Sequence, residues 1–399
     1  MSVQTATITT TKRKPTGRAG IIDGKLYLSQ GITRNLAPAH GSGGQFDSIP
    51  VIDLSAIVAP DPDPSALESL VAEVKDACMR VGFFVVRNHG IDWAIVENAF
   101  EALEEFFGLP MEKKMAVHQS KSPSFMGYEE PYYTNVDRLK KGDLKESMTT
   151  AYDPWTDALG VGGEMPKLLL RENLWPSAED APKFRPAMEG YRAACLSLMR
   201  KLVKVLALAM DEKVEYFDKK ITYPVAGIRA LYYPPQTTSE EEETGLGAHT
   251  DVQMMTMIAQ KPYNAQSLQV LNANGEWIYP ELSPETFVVN LGDMVARLTN
   301  DTFVSTVHRV RNDGPNAVGR YSMPFFFGLS NDELISTLPQ FITDEAPLNP
   351  NYKDLVTGYE HYNKRMRIAH HDHPTADGKT SAALPLGMTK TDGVLMPGI

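Results

Sequence analysis

Gly247-Ala248-His249-Thr250-Asp251 lies between a glycine-containing turn and a run that reads as a strand. In extended backbone, residues two apart face the same side, so His249 and Asp251 project together. A later stretch, Ser305-Thr306-Val307-His308-Arg309-Val310, offers a third group, His308, on another strand. Two neutral imidazoles and one carboxylate on one face of an octahedron leave three positions open, the arrangement expected of a non-haem Fe(II) centre. A lone His-x-Asp is more often a surface hydrogen bond, and a lone His308 a satisfied barrel histidine. The weight therefore rests on what surrounds them.

The surroundings are short strands. Residues 228–233, 254–258, 268–271, 287–290, 306–311 and 321–327 are β-branched or aromatic runs separated by Gly, Pro, Asn or Asp. That spacing predicts a fold that is mainly β with supporting helices, its core a jelly roll, or double-stranded β-helix. Arg320-Tyr321-Ser322 opens one of these strands twelve residues after His308. Arg320 and Ser322 share a face, and a guanidinium beside a hydroxyl makes a clamp for a carboxylate. An arginine aimed into an apolar barrel needs an anionic partner, which is either a protein acid or a ligand.

Upstream, Ile49-Pro50-Val51-Ile52-Asp53-Leu54 reads as a strand, 66–81 as an amphipathic helix and Gly82-Phe83-Phe84-Val85-Val86 as a second strand. A helix follows at about 94–107, stopped by Pro110. Residues 123–175 are rich in Tyr, Pro and Gly without an apolar period and read as loops covering a substrate. Long helices are expected at 184–210 and 355–368. The division expected is an N-terminal arm at 1–47, a helical lead-in region at 48–220, the catalytic core at 221–330 and a C-terminal helix and tail at 331–399, all one structural unit.

Composition narrows the partners. Lys+Arg number 39 against Asp+Glu 50, a net charge of −11, which repels nucleic acid and anionic membranes. Lys12-Arg13-Lys14 reads as part of a solvated tail. Cys78 and Cys195 cannot build a disulfide framework, and a reducing cytoplasmic compartment fits them. The N-terminus lacks an apolar signal region, and no stretch of 18 apolar residues occurs. His370-His371-Asp372-His373 is a second His-rich run, but it stands in a polar tail with no strand to converge its side chains.

Taken together, Tyr232-Tyr233-Pro234-Pro235, His249-Thr250-Asp251, Leu268-Gln269-Val270, Asn290-Leu291-Gly292-Asp293, Thr299-Asn300, His308-Arg309-Val310 and Arg320-Tyr321-Ser322 resemble the isopenicillin N synthase-like superfamily of 2-oxoglutarate/Fe(II) dioxygenases. The lead-in resembles that family too, and the similarity covers roughly residues 48–330. The motifs are specific for the family and silent on the substrate.

The resemblance implies roles residue by residue. His249, Asp251 and His308 match the metal ligands, Arg320 and Ser322 the residues on the distal carboxylate of 2-oxoglutarate, and Tyr233 a tyrosine lining that site. Leu231 stands where plant members carry Asn near the iron-bound end of the co-substrate. Arg229, two residues earlier on the same face, is the candidate for the missing polar contact. Arg229-x-Leu231 also resembles ethylene-forming enzymes. The implied reaction uses Fe(II), 2-oxoglutarate and O2, oxidises a C–H bond of a small organic metabolite by hydroxylation, desaturation or ring rearrangement, and releases succinate and CO2. Breakdown of 2-oxoglutarate to ethylene, an oxidase that needs no 2-oxoglutarate, and a non-catalytic binding protein are the rival readings. Phe326 is placed facing the substrate by its register with Arg320 and Ser322, and Met255, Phe125, Tyr128, Tyr132 and Tyr133 are further substrate candidates. A monomer or weak homodimer is expected.

Overall fold

A computed structural model of the protein describes residues 20–22, 25–27, 33–35, 45–60, 63–134, 142–157, 173–235, 245–311, 319–369, 388–391 and 394–397. Lys12-Arg13-Lys14 and His370-His371-Asp372-His373 lie outside the described residues. β1 (Gly20–Ile22), β2 (Lys25–Tyr27) and β3 (Thr33–Asn35) form a small antiparallel sheet. β4 (Val51–Asp53), α1 (Ser55–Val58) and α2 (Pro64–Arg80) lead to β5 (Phe83–Arg87). Next come α3 (Trp93–Phe107), α4 (Met111–Met115), β6 (Gly127–Glu129), β7 (Glu146–Ala151) and α5 (Phe184–Ala209). The remaining core strands are β8 (Pro224–Tyr233), β9 (Leu246–His249), β10 (Met255–Lys261), β11 (Leu268–Leu271), β12 (Trp277–Ile278) and β13 (Phe287–Leu291). α6 (Asp293–Leu298), β14 (His308–Val310) and β15 (Arg320–Ser330) complete it. β16 (Leu334–Ile335) pairs with β17 (Val356–Thr357), α7 (Gly358–Ala369) follows, and β18 (Met388–Thr391) pairs with β19 (Val394–Pro397).

Two sheets face each other as a double-stranded β-helix. The larger runs β4-β5-β13-β10-β15-β8-β7-β6 and the smaller β12-β11-β14-β9. All pairings in them are antiparallel except β4 with β5. Alternation along the strands separates two cores. On the outer face of the large sheet, Met255, Met257, Met323, Phe325 and Phe327 pack against apolar stripes of α2, α3 and α5 such as Leu70, Val74, Phe100, Leu103, Tyr191 and Leu198. Fully burying each such side chain contributes about 1.5–3 kcal/mol. Between the sheets lies a smaller apolar cluster that includes Phe83, Val85, Leu231, Tyr233, Leu268, Val270, Val288 and Val310.

Local signals set the ends of the helices. Asp63 and Asp92 cap α2 and α3 by accepting the Ser65 and Ala94 N–H groups. Gly82 links α2 to β5 with φ +71°, and a Cβ there would sit 2.3 Å from the Val304 carbonyl oxygen, so only glycine fits.

The expected loop region at 123–175 is corrected in part. β6 and β7 join the edge of the large sheet through β8. Their apolar alternation is hidden because the inward-facing Glu129 and Ser147 are polar yet fully buried. Four of the eight strands of the large sheet, β4 to β7, therefore come from the lead-in region.

Candidate metal and co-substrate site

His249 ends β9 and His308 begins β14; the two residues are direct cross-strand partners, with ring centroids 4.3 Å apart. Asp251 follows β9 by two residues and turns its Oδ1 to both rings, 3.7 Å from His249 Nε2 and 3.8 Å from His308 Nε2. The three candidate ligand atoms lie within 4.8 Å of one another.

Each side chain is held by its other polar atom. His249 Nδ1 meets the Gly247 carbonyl at 2.8 Å and His308 Nδ1 the Thr306 carbonyl at 3.1 Å. A carbonyl can only accept, so Nδ1 carries the proton and Nε2 presents a lone pair in both rings. Asp251 Oδ2 accepts from Thr256 Oγ1 at 2.5 Å and Asn290 Nδ2 at 2.8 Å, which leaves Oδ1 for the histidine side. Burial works to raise the Asp251 carboxyl, but His308, His249, Asn290 and Thr256 together hold it below the usual range. Two imidazoles bound through Nδ1–H and a carboxylate, with ligand atoms that converge, are a donor set that fits Fe(II).

The backbone behind this turn is tightly tied. Asp293 N–H donates to the Asp251 carbonyl, and Gly292 N–H to the Met254 carbonyl. A Cβ at Gly292 would lie 2.1 Å from the Gln253 carbonyl oxygen, so the turn closes only over glycine. His361 of α7 reaches back with Nε2 2.9 Å from the Val252 carbonyl.

Arg320 and Ser322 begin β15 on its inner face, both buried, with Tyr233 and Leu231 of β8 as their cross-strand partners. The Arg320 guanidinium lies 4.4 Å from the Tyr233 ring centroid and donates one Nη1 hydrogen bond, 3.1 Å, to Gln260 Oε1. Its Nε and Nη2 are buried with no hydrogen-bond partner among the described residues. Burial pushes its pKa below the usual arginine value, and Tyr233 only partly offsets this. A buried cation short of two acceptors fits an anionic ligand such as the carboxylate of 2-oxoglutarate.

Comparison with known proteins agrees with this geometry. Residues 49–178 match the family described as "non-haem dioxygenase in morphine synthesis N-terminal" and residues 224–329 match the 2OG-Fe(II) oxygenase superfamily. The 2-oxoglutarate-Fe(II) type oxidoreductase ppzC of Metarhizium majus is 33% identical, covering 79% of this chain and 87% of that protein.

The chain belongs to the 2OG-Fe(II) oxygenase superfamily.

Another member, a homoarginine-6-hydroxylase of Oryza sativa subsp. japonica, is 32% identical over 79% of this chain and 96% of its own. The crystal structure of full-length Neurospora crassa T7H in complex with alpha-KG and thymine superposes with a TM-score of 0.68 at 25% identity, covering 83% of this chain and 99% of that one. As a member of this superfamily the protein is a non-haem oxygenase that uses Fe(II) and 2-oxoglutarate, and His249, Asp251 and His308 form its iron-binding triad. Among the described residues, no helix is long and apolar enough to cross a membrane.

The other candidates separate by strand face. Phe326 shares the inner face of β15 with Arg320 and Ser322 and is only half-buried, in neither apolar core. Met255 is corrected: it is 2% exposed and packs in the outer core opposite Phe327 and Leu291, because its neighbour Thr256 takes the inner face. Tyr128 is corrected for the same reason: it is buried in the outer core, and its hydroxyl donates to Glu146 at 2.6 Å. Phe125 is buried and Tyr132 half-buried, both in the left-handed region with φ 62° and 68°. Tyr133 sets its ring edge-on to His118 at 5.1 Å.

Arg229 is already paired within the protein. Its Nη2 donates to Glu129 Oε2 at 2.5 Å and to Thr134 Oγ1 at 3.0 Å. Glu129 also accepts from Gln119 Nε2 and Ser147 Oγ, both at 2.7 Å, and from Lys145 Nζ at 3.4 Å. Burial lowers the Lys145 pKa to about 8. Apart from Arg229, this polar wall on the inner face of β6, β7 and β8 escaped sequence reading, as did Gln260, Thr256 and the part Asn290 plays in holding Asp251. The available signal was polar residues at alternate positions of otherwise apolar strands.

Proposed function

We propose that the protein oxidises a C–H bond of a small organic metabolite, with conversion of 2-oxoglutarate to succinate and CO2. Iron, 2-oxoglutarate and O2 together supply the oxidising power for removing hydrogen from an unactivated carbon. His249, Asp251 and His308 would hold the metal through three protein ligands, a set that leaves room for exogenous ligands. Arg320 and Ser322 receive the distal carboxylate of the co-substrate, Tyr233 and Leu231 flank it, and Gln260 fixes the guanidinium. Arg229 acts by keeping Glu129 neutralised in the wall, which shapes the space beside the co-substrate.

The observation that carries this reading is Phe326. An aromatic side chain on the same strand face as the clamp, left half-open when every neighbour on β15 from Ser322 to Phe327 is buried, supports a cavity for a small molecule there. Phe125 and Tyr132 are assigned to the rim of that cavity, where the Tyr132 N–H is held by the Asp143 carbonyl. We place the protein in the cytoplasm as a monomer or weak homodimer without nucleic-acid partners; the buried free thiols Cys78 and Cys195 and the net charge of −11 support this.

The test is succinate release from 2-oxoglutarate across a metabolite library, with headspace ethylene measured in parallel. A stimulating metabolite that appears oxidised in the products is the expected result, with Phe326→Ala raising its KM. Ethylene as the main product, or iron and 2-oxoglutarate binding with no stimulation by any metabolite, would overturn the reading.

A further inference from the structure

Asp143 differs from Glu129, the other acid described in the inner wall. It is 3% exposed. Its Oδ1 accepts the Gly247 N–H at 3.1 Å, while its Oδ2 is buried with no hydrogen-bond partner among the described residues. The nearby Glu129, by contrast, accepts from Gln119, Thr134, Ser147, Lys145 and Arg229. Lys145 does not fill the gap, since its ammonium is directed to Thr134 at 3.1 Å and to Glu129.

The backbone fixes Asp143 where it stands. Its N–H donates to the Thr134 carbonyl and its own carbonyl accepts from Tyr132. Burial pushes its carboxyl up to about 6 despite Lys145, the Gly247 N–H and Arg229. A buried oxygen without a donor calls for an explanation, and a ligand supplies one.

Position points to which ligand. Gly247, which Asp143 anchors, also orients the metal ligand His249 through its carbonyl. On the other side Asp143 acts electrostatically on Tyr233, together with Arg320 and Arg229. The side chain that carries the unpartnered oxygen is thus tied to the segment of one metal ligand through Gly247 and acts on Tyr233 beside the carboxylate clamp, and a buried carboxylate oxygen of this kind favours a hydrogen-bond donor over a second anion.

We propose that Asp143 Oδ2 accepts a hydrogen bond from an N–H group of the substrate. The metabolite is then a nitrogen compound, an amine, guanidine, amide or imide, in preference to a simple carboxylic acid or hydrocarbon. This rests on the small-molecule oxidation proposed above.

Asp143→Asn is the discriminating variant, because its side-chain oxygen can still accept from Gly247 while the Oδ2 position becomes a donor. The library is sorted into members with and without N–H donors, including thymine against 1,3-dimethylthymine and hexylamine against hexanoate. Compounds that stimulate succinate release should come from the N–H set, and D143N should raise their KM at least tenfold with a smaller change in kcat. Anaerobic titration of D143N with Fe(II) and 2-oxoglutarate, followed by the charge-transfer absorbance, should give a midpoint no weaker than the wild type's, which separates substrate recognition from damage to the site. A stimulating compound without N–H donors, no stimulation by any N–H member, or an unchanged KM in D143N would overturn the assignment. Failure of the reading it rests on looks different, because then no compound of either set stimulates the wild-type protein.

Discussion

Arg320 and Arg229 sit on adjacent strands and face the same interior, the first buried and the second half-buried, yet they are held in opposite ways. Arg229 is matched inside the protein, with Glu129, Thr134 and Ser147 taking its donors. Arg320 has Gln260 for one nitrogen and no hydrogen-bond acceptor for Nε or Nη2. A guanidinium that meets its carboxylate within the fold builds the wall. One left short of an anion is shaped for something that arrives from outside.

The comparison can be broken by exchanging the consequences. Arg229→Met strips Glu129, a fully buried carboxylate, of its closest cation, so urea unfolding should show a loss of about 3–5 kcal/mol. Affinity for 2-oxoglutarate should change far less; a stable variant that no longer binds 2-oxoglutarate would reverse the two roles. Arg320→Gln should do the converse. Its affinity for 2-oxoglutarate in anaerobic titration should fall by about 2–4 kcal/mol, roughly 30- to 700-fold, with folding stability held or raised.

A pH series sharpens the account of the wall. The Asp143 carboxyl titrates near 6 when folded, above its ordinary 3.8. Its protonated form is therefore favoured by folding, a contribution fully present below about pH 4 and lost as pH rises through about 6. Relative to Asp143→Asn, the wild type should lose on the order of 3 kcal/mol of stability across that window. Urea midpoints at several pH values check this, and a constant gap between the two proteins would deny the shift. The smallest effect is expected at Gln260, which only orients the clamp: Gln260→Ala should weaken 2-oxoglutarate binding by about 1 kcal/mol, roughly fivefold.

Reading the chain residue by residue went furthest where chemistry and period coincide. His249 and Asp251 two apart, and Arg320 and Ser322 two apart, share faces because a strand repeats every two residues, whatever else surrounds it. The choice between the two faces was not accessible in the same way. Met255 and Thr256 are equally plausible inward residues until pairing with β13 and β15 sets the register, and then Thr256 supports Asp251 while Met255 joins the outer core. Tyr128 and Glu129 divide likewise, the tyrosine to the helices and the acid to the wall.

The family, the jelly-roll architecture and the three iron-ligand residues are legible in the amino-acid order alone, since these rest on residue type and local spacing. Which polar groups find partners is set by the way the strands come together in space. Whether Glu129, Lys145 and Arg229 neutralise one another, and whether Arg320 and Asp143 are left with unpaired atoms, depends on contacts between strands far apart in the chain. Burial then turns each of those contacts, made or missing, into a large energetic difference.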